Sequence, residues 1–335
     1  MKTTSRIVFA LLVLSGAAFA RILSPQVESA ISHGADAKFC LKVCDDMGYP
    51  VSNASVRVFF DMLPKPHSVY GKTDTNGVCV IKGRTNGNTI EFLVGKDGYY
   101  GSNKRMTFIK MGEEHDVKDG KWQPYCADEG IVLRRIRSPI SLTTGTKLQI
   151  PVTNTWIGVD IAKKSLVKPW GDGDVLDLEI CVDWDGLPPW ESAYCQGVMR
   201  FPGVLSGGYY VDNVRESQNK YPYNANETAD YVEKMVRIVN RNGTPPNLLK
   251  TRVPFREESS LVIRTRCALD EHGVLNRANY GCIHNFSVSP GKNGAATLVL
   301  SYSFNPTPND TNLEDIKTAE RARYFIRQCE PTESE

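Results

Sequence analysis

The stretch Phe39-Cys40-Leu41-Lys42-Val43-Cys44 decides how this chain folds. Phe39, Leu41 and Val43 alternate with Cys40, Lys42 and Cys44, the period of two that sends one set of side chains to each face of a β-strand. The same alternation returns in Val56, Val58 and Phe60. Residues 78–81 follow the turn signal Asn76-Gly77, residues 89–94 precede Asp97-Gly98, and 106–109 and 131–136 extend the series. Short strands at intervals of about ten to fifteen residues, broken by such turns, predict an antiparallel sandwich of the seven-strand type. Pro64 and Pro66 mark a loop or an edge, since proline cannot donate to a ladder.

Further along, residues 138–155 are rich in turn formers (Ser138-Pro139, Thr143-Thr144-Gly145-Thr146) and predict a boundary. The second unit opens with 156–161 and 175–182 and holds three clear strands at 260–268, 280–288 and 296–304. The last two are joined by Ser289-Pro290-Gly291-Lys292-Asn293-Gly294, a hairpin loop by composition. Helical spacing occurs in Tyr231, Val232, Met235, Val236 and Val239, after a cap at Asn226 or Thr228, and in 313–323 after Asn309. The expected fold class is mainly β in two domains: a sandwich over 21–139 and a larger β-rich domain over 140–335 with one or two short helices.

The first residues carry Lys2 and Arg6, an apolar run over 7–14 and Ala18-Phe19-Ala20, the order of a secretory leader over 1–20. Export to the periplasm, cell surface or extracellular space follows as an expectation. No later stretch approaches the length of a membrane-spanning helix. The 335 residues hold 41% hydrophobic and 23% charged side chains, a globular composition. Lys and Arg total 40 against 38 acids; loss of Lys2 and Arg6 with the leader makes them equal. Nucleic acid and anionic membrane are therefore not expected as partners through charge alone.

Nine cysteines stand at 40, 44, 79, 126, 181, 195, 267, 282 and 329. In an oxidising compartment they predict structural disulfides. No C-x2-C pair is present to start a metal cluster. Spacing favours local bridges Cys181 to Cys195 and Cys267 to Cys282, each stabilising by about 3 kcal/mol. Cys40, Cys44, Cys79 and Cys126 are the candidates of the first domain, which leaves Cys329 as the expected orphan.

Val43-x-Asp45-x-x-Gly48-x-Pro50-Val51-x-x-Ala54-x-Val56-x-Val58, then Thr73-Asp74-Thr75-Asn76-Gly77-Val78, then Lys96-Asp97-Gly98-Tyr99, resemble the carboxypeptidase regulatory-like (transthyretin-like) sandwich over residues 36–137. Gly48-Tyr49-Pro50 turns the chain, Ala54 is a small inward residue, and Asn76-Gly77 supplies the positive φ values of a tight turn. Residues 112–123 read as an inserted loop. The resemblance implies an accessory domain with no active site of its own. Gly158-Val159-Asp160, Lys168-Pro169-Trp170-Gly171-Asp172-Gly173, Lys220-Tyr221-Pro222-Tyr223, Ile263-Arg264-Thr265-Arg266, Leu269-Asp270-Glu271-His272-Gly273, Ala278-Asn279-Tyr280-Gly281 and Phe304-Asn305-Pro306 with Asn312-Leu313-Glu314 resemble uncharacterised exported bacterial proteins. In these the same β-rich region follows a regulatory-like domain, and no activity is implied.

For chemistry, His33, His67, His115, His272 and His284 are scattered, read as surface or loop residues, and form no H-E-x-x-H. No G-x-S-x-G surrounds Ser206. The densest acids are Asp172, Asp174 and Asp177, then Asp183 and Asp185. Asp172, Asp174 and Asp183 are weak candidates for a calcium site, because Leu176 stands where an EF-hand loop needs a third oxygen. The plainer reading makes them hairpin turns with solvated side chains. Trp170, Trp184, Trp190, Tyr194, Tyr209, Tyr210, Tyr221 and Tyr223 crowd the same region. Flat rings beside carboxylates suit a sugar-binding face, with Trp184, Trp190 and Asp185 as its candidates, although sandwiches also fill cores with such rings. The expected function is an exported, non-catalytic binding or attachment protein whose partner is polysaccharide or another envelope protein, with no cofactor. The alternatives are a carbohydrate-active hydrolase or lyase centred on Asp172, Asp174, Asp183 and Glu191, and a structural component of a surface assembly.

Overall fold

The computed structural model describes residues 24–61, 65–108, 116–184, 194–240, 253–254, 258–290 and 295–331. Along Ala35–Asp45, Ala35, Ala37, Phe39, Leu41 and Val43 are buried while Cys40, Lys42 and Cys44 turn away from the core. This strand runs antiparallel to Val78–Thr85 and parallel to Ala127–Arg135. A second sheet, ordered His67–Lys72, Ser55–Phe60, Thr89–Gly95, Ser102–Thr107, closes over it. The two share one core, in which the Phe39 ring meets Phe92 edge-on at 5.0 Å and lies 6.3 Å from Phe60.

The parallel pair departs from the all-antiparallel expectation. Parallel neighbours need a crossover, and the chain makes one by visiting the second sheet between residues 45 and 127 before returning beside its first strand. The expected inserted loop is also partly core. Val117–Lys118 pairs with Lys121–Trp122, and the buried Trp122 donates from Nε1 to the Thr85 carbonyl at 2.9 Å. At the turn after Asp74 only Gly77 takes a positive φ, +73°. The Asp74 carboxylate accepts from the backbone N–H groups of Asn76 and Val78. A Cβ on Gly77 would stand 2.4 Å from the Val43 carbonyl, so the position requires glycine.

A short helix α1, Pro25–His33, precedes these strands; Ser24 caps it and Val27 and Ala30 pack on the first core. Ser-Pro at a helix start is a recognisable signal that the strand pattern overshadowed.

The second unit is also a sandwich. One sheet runs Thr143–Ile150, Ala296–Phe304, Leu275–Pro290, Ser259–Leu269, Gly207–Asp212. The other includes Ile157–Asp160, Leu178–Trp184, Tyr194–Arg200 and Lys234–Asn240. Ile157, Val159, Ile180 and Val182 face Ile263, Ile283, Phe286, Leu298 and Phe304 across the core. The helix expected around Met235 is instead the strand Lys234–Asn240, paired with Tyr194–Arg200.

The expected helix near the C-terminus forms as α2, Ile316–Gln328, and it leaves its own sandwich to pack on the first. Ala319 and Ala322 cover Tyr100, and Phe325 and Cys329 cover Leu93. Just before the helix, the buried Glu314 accepts from Tyr100 Oη and the Arg137 N–H at 2.9 Å each, and from the Ser138 N–H at 2.7 Å. Burial and Glu314 push the Tyr100 phenol well above its ordinary range. Glu314→Gln places an amide N–H₂ where one of these donors now finds an oxygen. The expected loss is about 2 kcal/mol of unfolding free energy, read from the urea midpoint at pH 7.

Cys40 is disulfide-bonded to Cys126, with Cα atoms 5.6 Å apart. The local bridges are not made. Cys181 lies opposite Val198 while Cys195 lies opposite Trp184, three positions or about 10 Å along the strand. Cys282 lies opposite Val262, five residues from Cys267, and both are free thiols. Disulfide geometry tolerates neither span. Cys44, Cys79 and Cys329 are free as well, so Cys329 is not a lone orphan. Burial raises the Cys282 and Cys329 thiols to about 12, which keeps both as inert thiols rather than reactive thiolates.

Candidate functional site

The acidic segment singled out in the sequence forms a loop between Ile157–Asp160 and Leu178–Trp184, built in two layers. The inner layer is charged and buried. Asp160 Oδ1 accepts the Lys163 N–H at 3.0 Å, and Oδ2 accepts those of Asp174 and Val175 at 3.1 Å each. Asp177 Oδ2 accepts the Ile161 N–H at 2.8 Å. Both carboxylates meet Arg266: Nε and Nη2 reach the two Asp177 oxygens at 2.8 Å, and Nη2 reaches Asp160 Oδ1 at 2.9 Å. Arg266 sits at a β-bulge with φ +54°, where the register with the neighbouring strand slips. The bulge re-aims its side chain out of the strand's alternation and onto the loop. Tyr302 Oη adds a 2.6 Å bond to the Ile161 carbonyl.

Burial raises the Asp160 carboxyl, but the three backbone N–H groups and the Arg266 charge outweigh it and hold the pKa below the usual carboxylate range. Asp177 pulls Arg266 the other way, raising it above its ordinary value. Asp160 is therefore not available to move a proton near neutral pH.

The outer layer is exposed. Asp174 is paired with Lys163 at 2.5 Å and Lys168 at 3.5 Å, and the Lys163 hydrogen bond lowers its pKa. Gly171 and Gly173 let the loop close against the Ser165–Leu166 strand; a Cβ on Gly171 would lie 2.4 Å from the Leu166 carbonyl. Closed this way, the loop leaves Trp170 at 41% exposure, between Lys168 and Asp172 in sequence.

Asp172 and Asp174 do not meet Asp183, which is exposed near the far end of Leu178–Trp184, six residues or about 20 Å beyond Asp177. The expected calcium set is thus divided, and two ammonium groups beside Asp174 oppose a cation there. Among the described residues, no group of three or more His, Cys, Asp or Glu side chains is placed to share a metal ion. Trp184 is a strand residue; Asp185, Trp190 and Glu191 lie outside the described residues.

Tyr209, Tyr221 and Tyr223 pack against neighbouring side chains. Tyr223 is held between Arg134 and Arg137, each 4.0 Å from its ring centre, and Tyr209 meets Tyr231 edge-on. His284, expected near the surface, is buried on Tyr221, and burial pushes its pKa down to about 3.

No family model matches the chain, and no curated protein matches it. Three solved structures are similar to the chain at low identity. The 3-chlorocatechol 1,2-dioxygenase of Rhodococcus opacus is 13% identical, with 31% of this chain and 61% of that one covered, at TM-score 0.25. The hydroxyquinol 1,2-dioxygenase of Pseudomonas putida is 14% identical, with 31% and 57% covered, at TM-score 0.24. A DUF3823 family protein of Parabacteroides merdae is 6% identical, with 83% and 98% covered, at TM-score 0.19. This chain spans less than two thirds of either dioxygenase. Scores this low define neither a fold nor an activity for it.

Proposed function

We propose that this chain is an exported, non-catalytic binding or attachment protein of the cell envelope or extracellular space, with polysaccharide as its ligand. The observation that carries the reading is the Asp160–Asp177 loop. Its buried acids are held by Arg266 and backbone N–H groups, its outer acid Asp174 is held by two lysines, and the same loop carries the exposed Trp170. An indole face stacks on the C–H surface of a sugar while neighbouring carboxylates and ammonium groups take hydroxyls. Catalysis by paired carboxylates needs one acid free to donate and another free to attack.

Export is supported by the leader-type residues 1–20 and by the Cys40 to Cys126 bridge, a bond of oxidising compartments. The first sandwich is assigned to the carboxypeptidase regulatory-like type, as an accessory domain. The buried Ala54 and the positive φ of Gly48 and Gly77 support that assignment. The test is affinity electrophoresis against a panel of polysaccharides. Trp170→Ala is expected to weaken retention at least five-fold with the thermal midpoint unchanged. Equal retention of the variant removes the Trp170 loop as the binding surface.

A further inference from the structure

Helix α2 uses one side and leaves the other without partners. Ala319, Ala322 and Phe325 pack on the first sandwich, which occupies the apolar side. The outer side carries Lys317, Arg321, Arg323 and Arg327, all exposed, against one acid, Glu320. Four bases to one acid in a helix of 13 residues is a local excess, because bases and acids are equal in number beyond residue 20. None of the four makes an ion pair among the described residues, and Arg327 lies 5.7 Å from the centre of the Tyr324 ring.

This arrangement works against the helix itself. Lys317 stands in a first turn that holds no acid, where its charge opposes the helix dipole. Lys317 with Arg321, and Arg323 with Arg327, are like charges four residues apart, a spacing that repels. An anion laid along the face relieves both. Tyr324, three residues from Arg321 and three from Arg327, stands between them at 65% exposure. At the C-terminal end Arg57 adds a cation, donating to the Gln328 carbonyl at 3.4 Å, while Glu330 there accepts from the Ser55 hydroxyl.

The row from Lys317 to Arg327 runs about 15 Å along the helix axis, so an occupant that meets all four cations is an extended polyanion. A lipid surface fits poorly, because a helix lying on a bilayer inserts its apolar side, and the first sandwich already holds that side. A tyrosine ring between guanidinium groups matches the C–H face of a sugar flanked by carboxylates. We propose that the outer side of α2 binds a linear acidic polysaccharide, with its carboxylates on Lys317, Arg321, Arg323 and Arg327 and a sugar ring on Tyr324. The site rests on the polysaccharide reading for the class of polymer, but not on the Trp170 loop.

The probes are immobilised polygalacturonate and its methyl ester, the same polymer with and without charge, titrated with the full mature chain. The expected result is saturable binding to polygalacturonate, at least ten-fold weaker to the ester, and weakening as salt is raised. Arg321→Gln combined with Arg323→Gln is expected to cut the affinity at least ten-fold with the thermal midpoint held, because both side chains are exposed. Removing the same charge elsewhere, by Lys82→Gln with Lys118→Gln, is expected to leave it within two-fold. The arginine variant reports on α2 and Trp170→Ala on the loop, so the two readings fail separately. Four results overturn the site: no saturable binding to polygalacturonate, equal binding of the ester, equal loss in the arginine and lysine variants, or duplex DNA or phosphatidylserine vesicles binding as tightly.

Discussion

Arg266→Ala is expected to remove about 3–5 kcal/mol of unfolding free energy, among the largest losses of any single side chain in the second sandwich. The change leaves two carboxylates, Asp160 and Asp177, at 2% and 0% side-chain exposure, with no cation between them. Their mutual repulsion then adds to the desolvation of each. Arg266→Lys retains a charge but not the planar fork that reaches three oxygens at once, so it falls between wild type and alanine. Urea unfolding at pH 7 reads both variants; an alanine variant within 1 kcal/mol of wild type contradicts the assignment.

The cluster also sets an acid limit. The Asp160 carboxyl lies below its ordinary value in the folded protein, as does that of Asp45, held by Arg135 and two turn N–H groups against its burial. A carboxyl with a lowered folded pKa contributes stability that is complete above its unfolded value, about 3.9, and is lost as pH falls through the folded one. The contribution of these two carboxyls is therefore flat above about pH 5 and declines below about pH 4, whereas the buried neutral His284, pushed down from 6.5 to about 3, makes stability fall already as pH drops below about 6.5. In Arg266→Ala the Asp160 pKa moves back toward its unfolded value, because one source of the lowering is gone, and the acid-dependent loss from this group shrinks.

The second large effect is expected at the Cys40 to Cys126 bridge, which joins residues 86 apart in sequence. Closing so long a loop restricts the unfolded chain strongly, and Cys40→Ser or reduction is expected to cost about 2–4 kcal/mol. The urea midpoint with and without reductant gives the value. Peptide mapping after alkylation gives the partner: a peptide joining residues 40 and 126 supports the account, and one joining 267 to 282 contradicts it.

What the sequence revealed and what it hid follow from the range of the forces involved. The alternation Phe39, Leu41, Val43 reports a one-sided core directly, and the buried set in Ala35–Asp45 matches it residue for residue. Met235 to Val239 misled, because five residues rich in valine and isoleucine satisfy both periods. Their β-branching and the waiting partner strand Tyr194–Arg200 decided for a strand, and that partner lies outside any local window. Disulfides assigned by nearness in sequence failed because sheet register, not separation, sets the distance between cysteines.

The Arg266 cluster was within reach but missed. Arg266 follows the apolar run Leu261-Val262-Ile263 in the strand Ser259–Leu269, where a buried charge needs a partner, and Asp177, flanked by Leu176 and Leu178, needs one too. Each charge alone signalled a buried pair. Only the fold, joining residues 89 and 106 positions apart, showed which acids and which base belong together.

The most direct test of the binding assignment is one incubation read in two ways. The mature protein is mixed with each polysaccharide of a broad panel; retention is measured by affinity electrophoresis and chain length by size-exclusion chromatography of the polysaccharide. The account predicts retention by at least one polysaccharide whose chain length stays constant. Absence of retention across the panel, or shortening of any polysaccharide by the purified protein, contradicts it.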